Sequence, residues 1–496
     1  MVDGGLTRTR VVIVGAGFGG IGLGIKLQDS GLTDFVILEK SDSVGGVWRE
    51  NHYPGAACDV PSHLYSFSFE PRADWPDKYA NQSDILDYLR QCARKHSLEA
   101  HIRFGAELAD ARWDEVSSRW IVRTRDDQVF EAQSLVTATG QLSRPAIPKL
   151  PGLERFAGAA FHSAEWPRDC DLSGKRVAVI GTGASAIQIV PAIAPLASRL
   201  YLFQRSAAYV LPKPDKKYPR WQIALCKRFP ALLKLSRLII YIQYELKAFA
   251  FVTWRTALRF KRKAFFRNLK RGVKNAELRE RLIPDYRLGC KRILFSNEFY
   301  PALDRPNVEL VTDPIADIRG DAIVTADAKE RKVDCIILAT GFAATEFLAP
   351  MAIIGLSGRN LQQSWSNTGA QAHLGMTVTG FPNFFMLYGP NTNLAHNSVI
   401  YMIESQIHYV LACLSRLCRD EIRSIEVKKE IQDCCKFLPP RPMIVIGARN
   451  SVAVNPVARM MQSTLRSFAS AVTITSLRMS AIGSVTSSTL GRSMAG

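Results

Sequence analysis

Two apolar strands that each run into a glycine-rich turn and then a helix predict an α/β protein with two Rossmann-like dinucleotide-binding domains. A Lys- and Arg-rich stretch with helical spacing, residues 213–292, adds a helical insert. The first unit starts at Arg10: Val11-Val12-Ile13-Val14 leads into Gly15-x-Gly17-x-x-Gly20, a helical pattern runs to Ser30, and the strand Phe35-Val36-Ile37-Leu38-Glu39 ends in an acid. Glycines at this spacing let the backbone approach a pyrophosphate, whose charge meets amide N–H groups and the positive end of the helix. Glu39 is placed for two hydrogen bonds to a ribose diol, so this unit suits FAD or NAD.

The second unit runs from Lys175-Arg176-Val177-Ala178-Val179-Ile180 into Gly181-Thr182-Gly183-Ala184-Ser185-Ala186, then a helix to about Ala197 and the strand Leu200-Tyr201-Leu202-Phe203. Ala186 takes the place of the third glycine and still permits close helix packing. This strand ends in Gln204-Arg205-Ser206 without an acid. A guanidinium forks onto a 2′-phosphate that a carboxylate would repel, so the expected ligand is NADPH, with Gly181, Gly183, Ser185 and Arg205 as its binding residues. Two more apolar runs end in Ala138-Thr139-Gly140 and Ala339-Thr340-Gly341-Phe342, placed where a chain crossing between two such domains needs them.

The 496 residues are 47% hydrophobic and 22% charged, enough for two or three globular domains. The net charge of +19 is local: residues 213–292 hold 23 Lys/Arg against 5 Asp/Glu, residues 434–496 hold 7 against none, and the remainder is acidic. This distribution argues against a uniformly basic nucleic-acid binder. The ten cysteines are scattered, with no Cys-x-x-Cys pair and no zinc-like His spacing, so reduced thiols and no metal are expected. The N-terminus enters a strand almost at once, without a basic and apolar leader, and a cytoplasmic location is expected.

Just before the second unit stands Phe156-x-Gly158-x-x-x-His162-x-x-x-Trp166-Pro167. This run resembles the fingerprint of Baeyer–Villiger monooxygenases at every fixed position; the related N- and S-oxidising flavin monooxygenases lack its Trp-Pro ending. Gly45-Gly46-Val47-Trp48 resembles the segment that passes beside the flavin in flavoprotein monooxygenases, which assigns the first unit to FAD, with Gly46 and Trp48 at the cofactor. Tyr53-Pro54-Gly55-Ala56-Ala57-Cys58-Asp59 and Cys290-Lys291-Arg292 resemble two further family runs, and Pro390-Asn391 ends a strand that would return to the flavin. The likeness spans residues 8 to about 430. It implies insertion of one oxygen of O2 beside a ketone carbonyl, to give an ester or lactone, through a C4a-peroxyflavin. Asp59 and Arg292 are then the catalytic pair, Asp59 also touches the cofactor, and Lys291 and Asn391 complete the cofactor site. His162 becomes a linker or gating residue. The alternatives are N- or S-oxygenation, and an NADPH–flavin reductase that inserts no oxygen.

The resulting plan is an FAD domain (1–144), an NADPH domain (145–212), the basic insert (213–292), the rest of the NADPH domain (293–380), an FAD return segment (381–433) and an atypical tail (434–496). The insert reads as helices capping the substrate pocket; peripheral contact with an anionic membrane is the alternative. The tail has no acid and no Trp, and it reads as a divergent or frame-shifted terminus.

Overall fold

A computed structural model describes residues 6–437, apart from 254, 395, 420 and 421; the tail beyond 437 lies outside the described residues. Its first sheet has eight strands. Thr7–Val14 sits between Phe35–Glu39 and Val129–Thr137, parallel to both, and Phe384–Met386 runs parallel to Val129–Thr137. The second sheet is parallel throughout, in the order Val308–Val311, Arg199–Phe203, Arg176–Ile180, Cys335–Leu338, Ala159–His162. Strands such as Phe35–Glu39 are buried along their whole length, as expected where layers cover both faces of a parallel sheet. In each sheet the strand before the glycine turn is the one from which the order runs both ways. A crevice opens there, beyond the carboxyl ends of the strands.

The helix Phe18–Asp29 is buried nearly all round, between the first sheet and the helix Val399–Arg419. Glycines make that possible: a Cβ on Gly22 would lie 2.9 Å from both Ile407 and Phe67. The two turns share one device. Gly15 (φ +105°) and Gly181 (φ +114°) pack so tightly that a Cβ would fall 2.8 Å from the Ala138 carbonyl oxygen and 2.4 Å from that of Ala339. Each Ala-Thr-Gly segment is thus a clamp on its glycine turn as well as a strand end.

The insert leaves and rejoins the second domain through a parallel pair of two-residue strands, Val210–Leu211 and Leu294–Phe295. It contains the helices Pro230–Thr253 and Arg255–Gly272; Phe265, Leu269 and Val273 bury it in the second core. Its first residues dock on the other domain, where Lys78 N–H donates to the Lys216 carbonyl (2.9 Å) and Tyr218 N–H to that of Pro76 (2.8 Å).

One expected boundary is corrected. Ala352–Ile354 pairs with Leu108–Asp114, so the chain is back in the first sheet by 352, ahead of the return segment expected from 381. Three residues are too few to show a strand's alternation in the sequence.

Gly20→Ala is expected to lower Tm by roughly 5 °C or more, because its Cβ would sit 1.9 Å from the Gly15 carbonyl oxygen. Gly183→Ala, with nothing within 4 Å of the new atom, should leave Tm unchanged. Thermal unfolding of the two variants checks the contrast.

Candidate active site

One cavity of about 1460 Å³ lies where the two crevices face each other. Gly15, Gly17, Glu39, Gly46 and Trp48 line it from the first domain, and Gly181, Gly183, Ser185 and Arg205 from the second. Glu39 braces its own turn: its carboxylate accepts from Ala16 N–H (2.7 Å) and Ser41 N–H (2.9 Å). A carboxylate has about four acceptor positions, which leaves capacity for ribose hydroxyls on the cavity side. Gly45 N–H donates to the Ala16 carbonyl (3.0 Å), and a Cβ on Gly46 would lie 3.1 Å from Gly17 Cα, so these glycines lie across the first turn. The Trp48 indole N–H donates to the Tyr65 hydroxyl (3.1 Å), which fixes the ring in the wall.

The second turn is pinned by Thr182, whose hydroxyl donates to the Ser206 carbonyl (2.8 Å). Arg205 is exposed at the adjoining strand end. Lys291 lies close by, its ammonium 3.4 Å from Ser206 Oγ and 4.5 Å from the centre of the Tyr286 ring. Neither cation pairs with a carboxylate among the described residues. The two turns, Glu39 on one side and two unpaired cations on the other, thus fit a flavin dinucleotide and a 2′-phosphorylated nicotinamide dinucleotide respectively.

Between the turns Arg292 donates a hydrogen bond to the Asp59 carboxylate. Asp59's charge is the main reason that the pKa of Arg292 is raised, so the guanidinium is positive at any working pH. About half of the Arg292 side chain (53%) is open, because it projects into the cavity even though protein surrounds it at longer range. A pair this exposed contributes only about 0–1 kcal/mol to stability, so its significance is the placement of a positive charge.

The geometry has wide counterparts. A model described as "Flavin-binding monooxygenase-like" matches residues 8–352. A Baeyer-Villiger monooxygenase of Streptomyces coelicolor is 46% identical over 410 residues, 83% of this chain and 79% of the relative. Another, from Pseudomonas aeruginosa, is 44% identical over 424 residues, 86% and 80% of the two chains. Among solved structures, an oxidised steroid monooxygenase bound to NADP superposes with a TM-score of 0.78 at 34% identity, covering 86% of this chain and 89% of that one. The chain belongs to the Baeyer–Villiger monooxygenase family.

In this family member the loop that carries Asp59 is docked on the second domain. Tyr53's hydroxyl donates to Gln188 Oε1 (3.0 Å), and Gln188 Nε2 donates to the Ala57 carbonyl (2.9 Å). Gln188 belongs to the helix that follows Ser185, so the second domain positions Asp59 directly. Tyr388 shares the cavity wall and adopts φ +58°. Its N–H donates to Gln406 Oε1 (2.7 Å), its carbonyl accepts from Gln141 (3.2 Å), and its hydroxyl donates to Asn393. Burial pushes the phenol up to about 12, against the opposing pull of Arg292, so it stays a neutral donor. Neither Gln188 nor Tyr388 was expected, because their roles come from packing between distant segments.

The fingerprint sits elsewhere. Phe156, Gly158, His162, Trp166 and Pro167 do not line the cavity; Ala159–His162 is the edge strand of the second sheet. A Cβ on Gly158 would lie 2.4 Å from the Asp334 carbonyl oxygen, and Trp166 packs edge-on to Phe161 at 5.1 Å. His162 is buried; Nδ1 accepts from Ala164 N–H (3.1 Å), and its ring meets Phe342 of the second crossover at 5.4 Å. Burial lowers its pKa and keeps it neutral near pH 7. Asn391 is exposed at φ +62° and is not among the residues lining the cavity; beside it the Thr392 hydroxyl donates to the Gly389 carbonyl (2.8 Å), and Leu387, Tyr388 and Asn397 line the cavity there.

Arg205→Ala is expected to raise KM for NADPH by about 10- to 100-fold, the worth of charge-assisted hydrogen bonds to a phosphate, while KM for NADH changes little. Steady-state kinetics with both nucleotides checks this.

Proposed function

We propose that the enzyme converts a ketone into an ester or lactone, and that Arg292, held by Asp59, is the residue on which oxygen insertion depends. NADPH supplies two electrons and FAD the centre at which O2 is activated, so that ketone, O2, NADPH and a proton yield ester, water and NADP+. The observation carrying this reading is the Asp59–Arg292 pair in the cavity shared by both glycine turns.

Oxygen attack on a carbonyl puts negative charge on the carbonyl oxygen. A fixed guanidinium in a partly water-excluded cavity stabilises that charge without reorganising. Asp59 keeps the fork from swinging toward solvent, and the Tyr53–Gln188 contact keeps Asp59 in place. Tyr388 adds a neutral hydroxyl in the same wall, oriented by its bond to Asn393. The lining is largely apolar, which suits a lipophilic ketone; the charge of the basic insert supports peripheral contact with a lipid surface.

The deciding experiment supplies a cyclic ketone and a thioether, in turn, under 18O2. Lactone carrying one labelled oxygen, formed with one NADPH consumed, is the expected product. Sulfoxide without lactone would mean heteroatom oxygenation, and NADPH oxidation yielding only hydrogen peroxide would mean a reductase. A second expectation concerns pH. The raised phenol pKa keeps Tyr388 protonated below about 12, so Tyr388→Phe should lower kcat by a constant factor from pH 6 to pH 10. A factor that shrinks with rising pH would show that the hydroxyl ionises in that range.

A further inference from the structure

The insert helix Pro230–Thr253 leaves exposed a row of large apolar residues that a helix on a soluble surface normally buries. It is held to the body of the protein through polar side chains. Arg237 donates to the Ser66 carbonyl (2.7 Å), His63 Nδ1 lies 2.8 Å from the Ser236 hydroxyl, and Glu245 accepts from Asn397 (2.7 Å). At about 100° per residue, Leu233, Arg237, Ile240 and Tyr244 share the inward side. The outward side carries Leu232, Leu235, Leu238, Ile239, Ile242 and Leu246, all exposed, with Leu246 reaching 63%. That spacing forms one continuous apolar stripe, of the kind that marks an interaction site when exposed.

Charge selects the occupant. In the next helix Lys261, Arg262, Lys263 and Arg267 are exposed and make no ion pair among the described residues, and Phe260 beside them is 71% exposed. Lys234 and Lys247 flank the stripe itself. With 23 Lys/Arg against 5 Asp/Glu in residues 213–292, a second copy of this surface would meet it with like charge. Residues 434–496 carry seven Lys/Arg and no acid, so they repel it too. No helix among the described residues is long and apolar enough to cross a membrane. We infer that this face docks on an anionic phospholipid surface, with the Leu/Ile stripe in the interface and the cations at the headgroups. Glu245 bonds Asn397, which lines the cavity, so the docked helix sits beside the cavity itself. Only this purpose, access for a lipophilic ketone from the membrane, rests on the proposed reaction.

The test sediments the full-length, FAD-loaded protein with vesicles of phosphatidylcholine alone or with about one third phosphatidylserine. The wild type is expected to co-sediment with the serine-containing vesicles and to release at high salt. The double variant Leu235→Glu/Ile242→Glu should lose about tenfold or more of that binding while keeping its flavin content and NADPH oxidation rate. Absence of wild-type binding, or unchanged binding by the variant, overturns the proposal. So does light scattering that finds a dimer which the variant dissociates, since a second copy would then be the occupant. Ketone turnover is measured separately with a water-soluble substrate, so its failure would remove the proposed reaction and leave the vesicle result standing.

Discussion

The arrangement turns on one contact between distant parts of the chain, the hydrogen-bonded pair of Asp59 and Arg292. A half-open ion pair adds little to stability, so nothing in folding alone explains why two long connections converge on it. Each partner is fixed from behind. Asp59 lies in a loop that Gln188 grips from the second domain, and Arg292 immediately precedes the two-stranded pair that closes the insert. The charge is therefore positioned by both domains and the insert together, and a shift in any of them moves it.

The rest of the frame is one solution used twice. In each sheet the order runs both ways from the strand before a glycine turn, and each turn is clamped by an Ala-Thr-Gly segment whose alanine carbonyl leaves no room for a Cβ. Because the two crevices face one another, the cavity between them is continuous. Two dinucleotides held by the same backbone device would share that cavity, and the two turns differ mainly in the residue at the strand end: an acid at position 39, a base at position 205.

Much of this was legible in the sequence because it rests on local rules. Glycine spacing, apolar runs and the residue closing each second strand report on backbone geometry within about thirty residues. What escaped notice was set by tertiary packing. Ala352–Ile354 is too short to alternate, and Gln188 and Tyr388 act through partners far along the chain. The fingerprint is instructive in another way: sharp as a motif, it forms an edge strand and its contacts outside the cavity. Helical periodicity likewise showed that the insert helix has two faces. It was silent on which faces outward, and the structure turns the apolar one out.

The central claim, that a fixed charge at position 292 directs oxygen to the carbonyl, is tested most directly by the yield of ester per NADPH in Arg292→Ala. The account predicts that flavin reduction by NADPH stays within about threefold of wild type, while ester per NADPH falls by about 100-fold or more and the electrons leave as hydrogen peroxide. Arg292→Ala that still forms ester at the wild-type yield would contradict it.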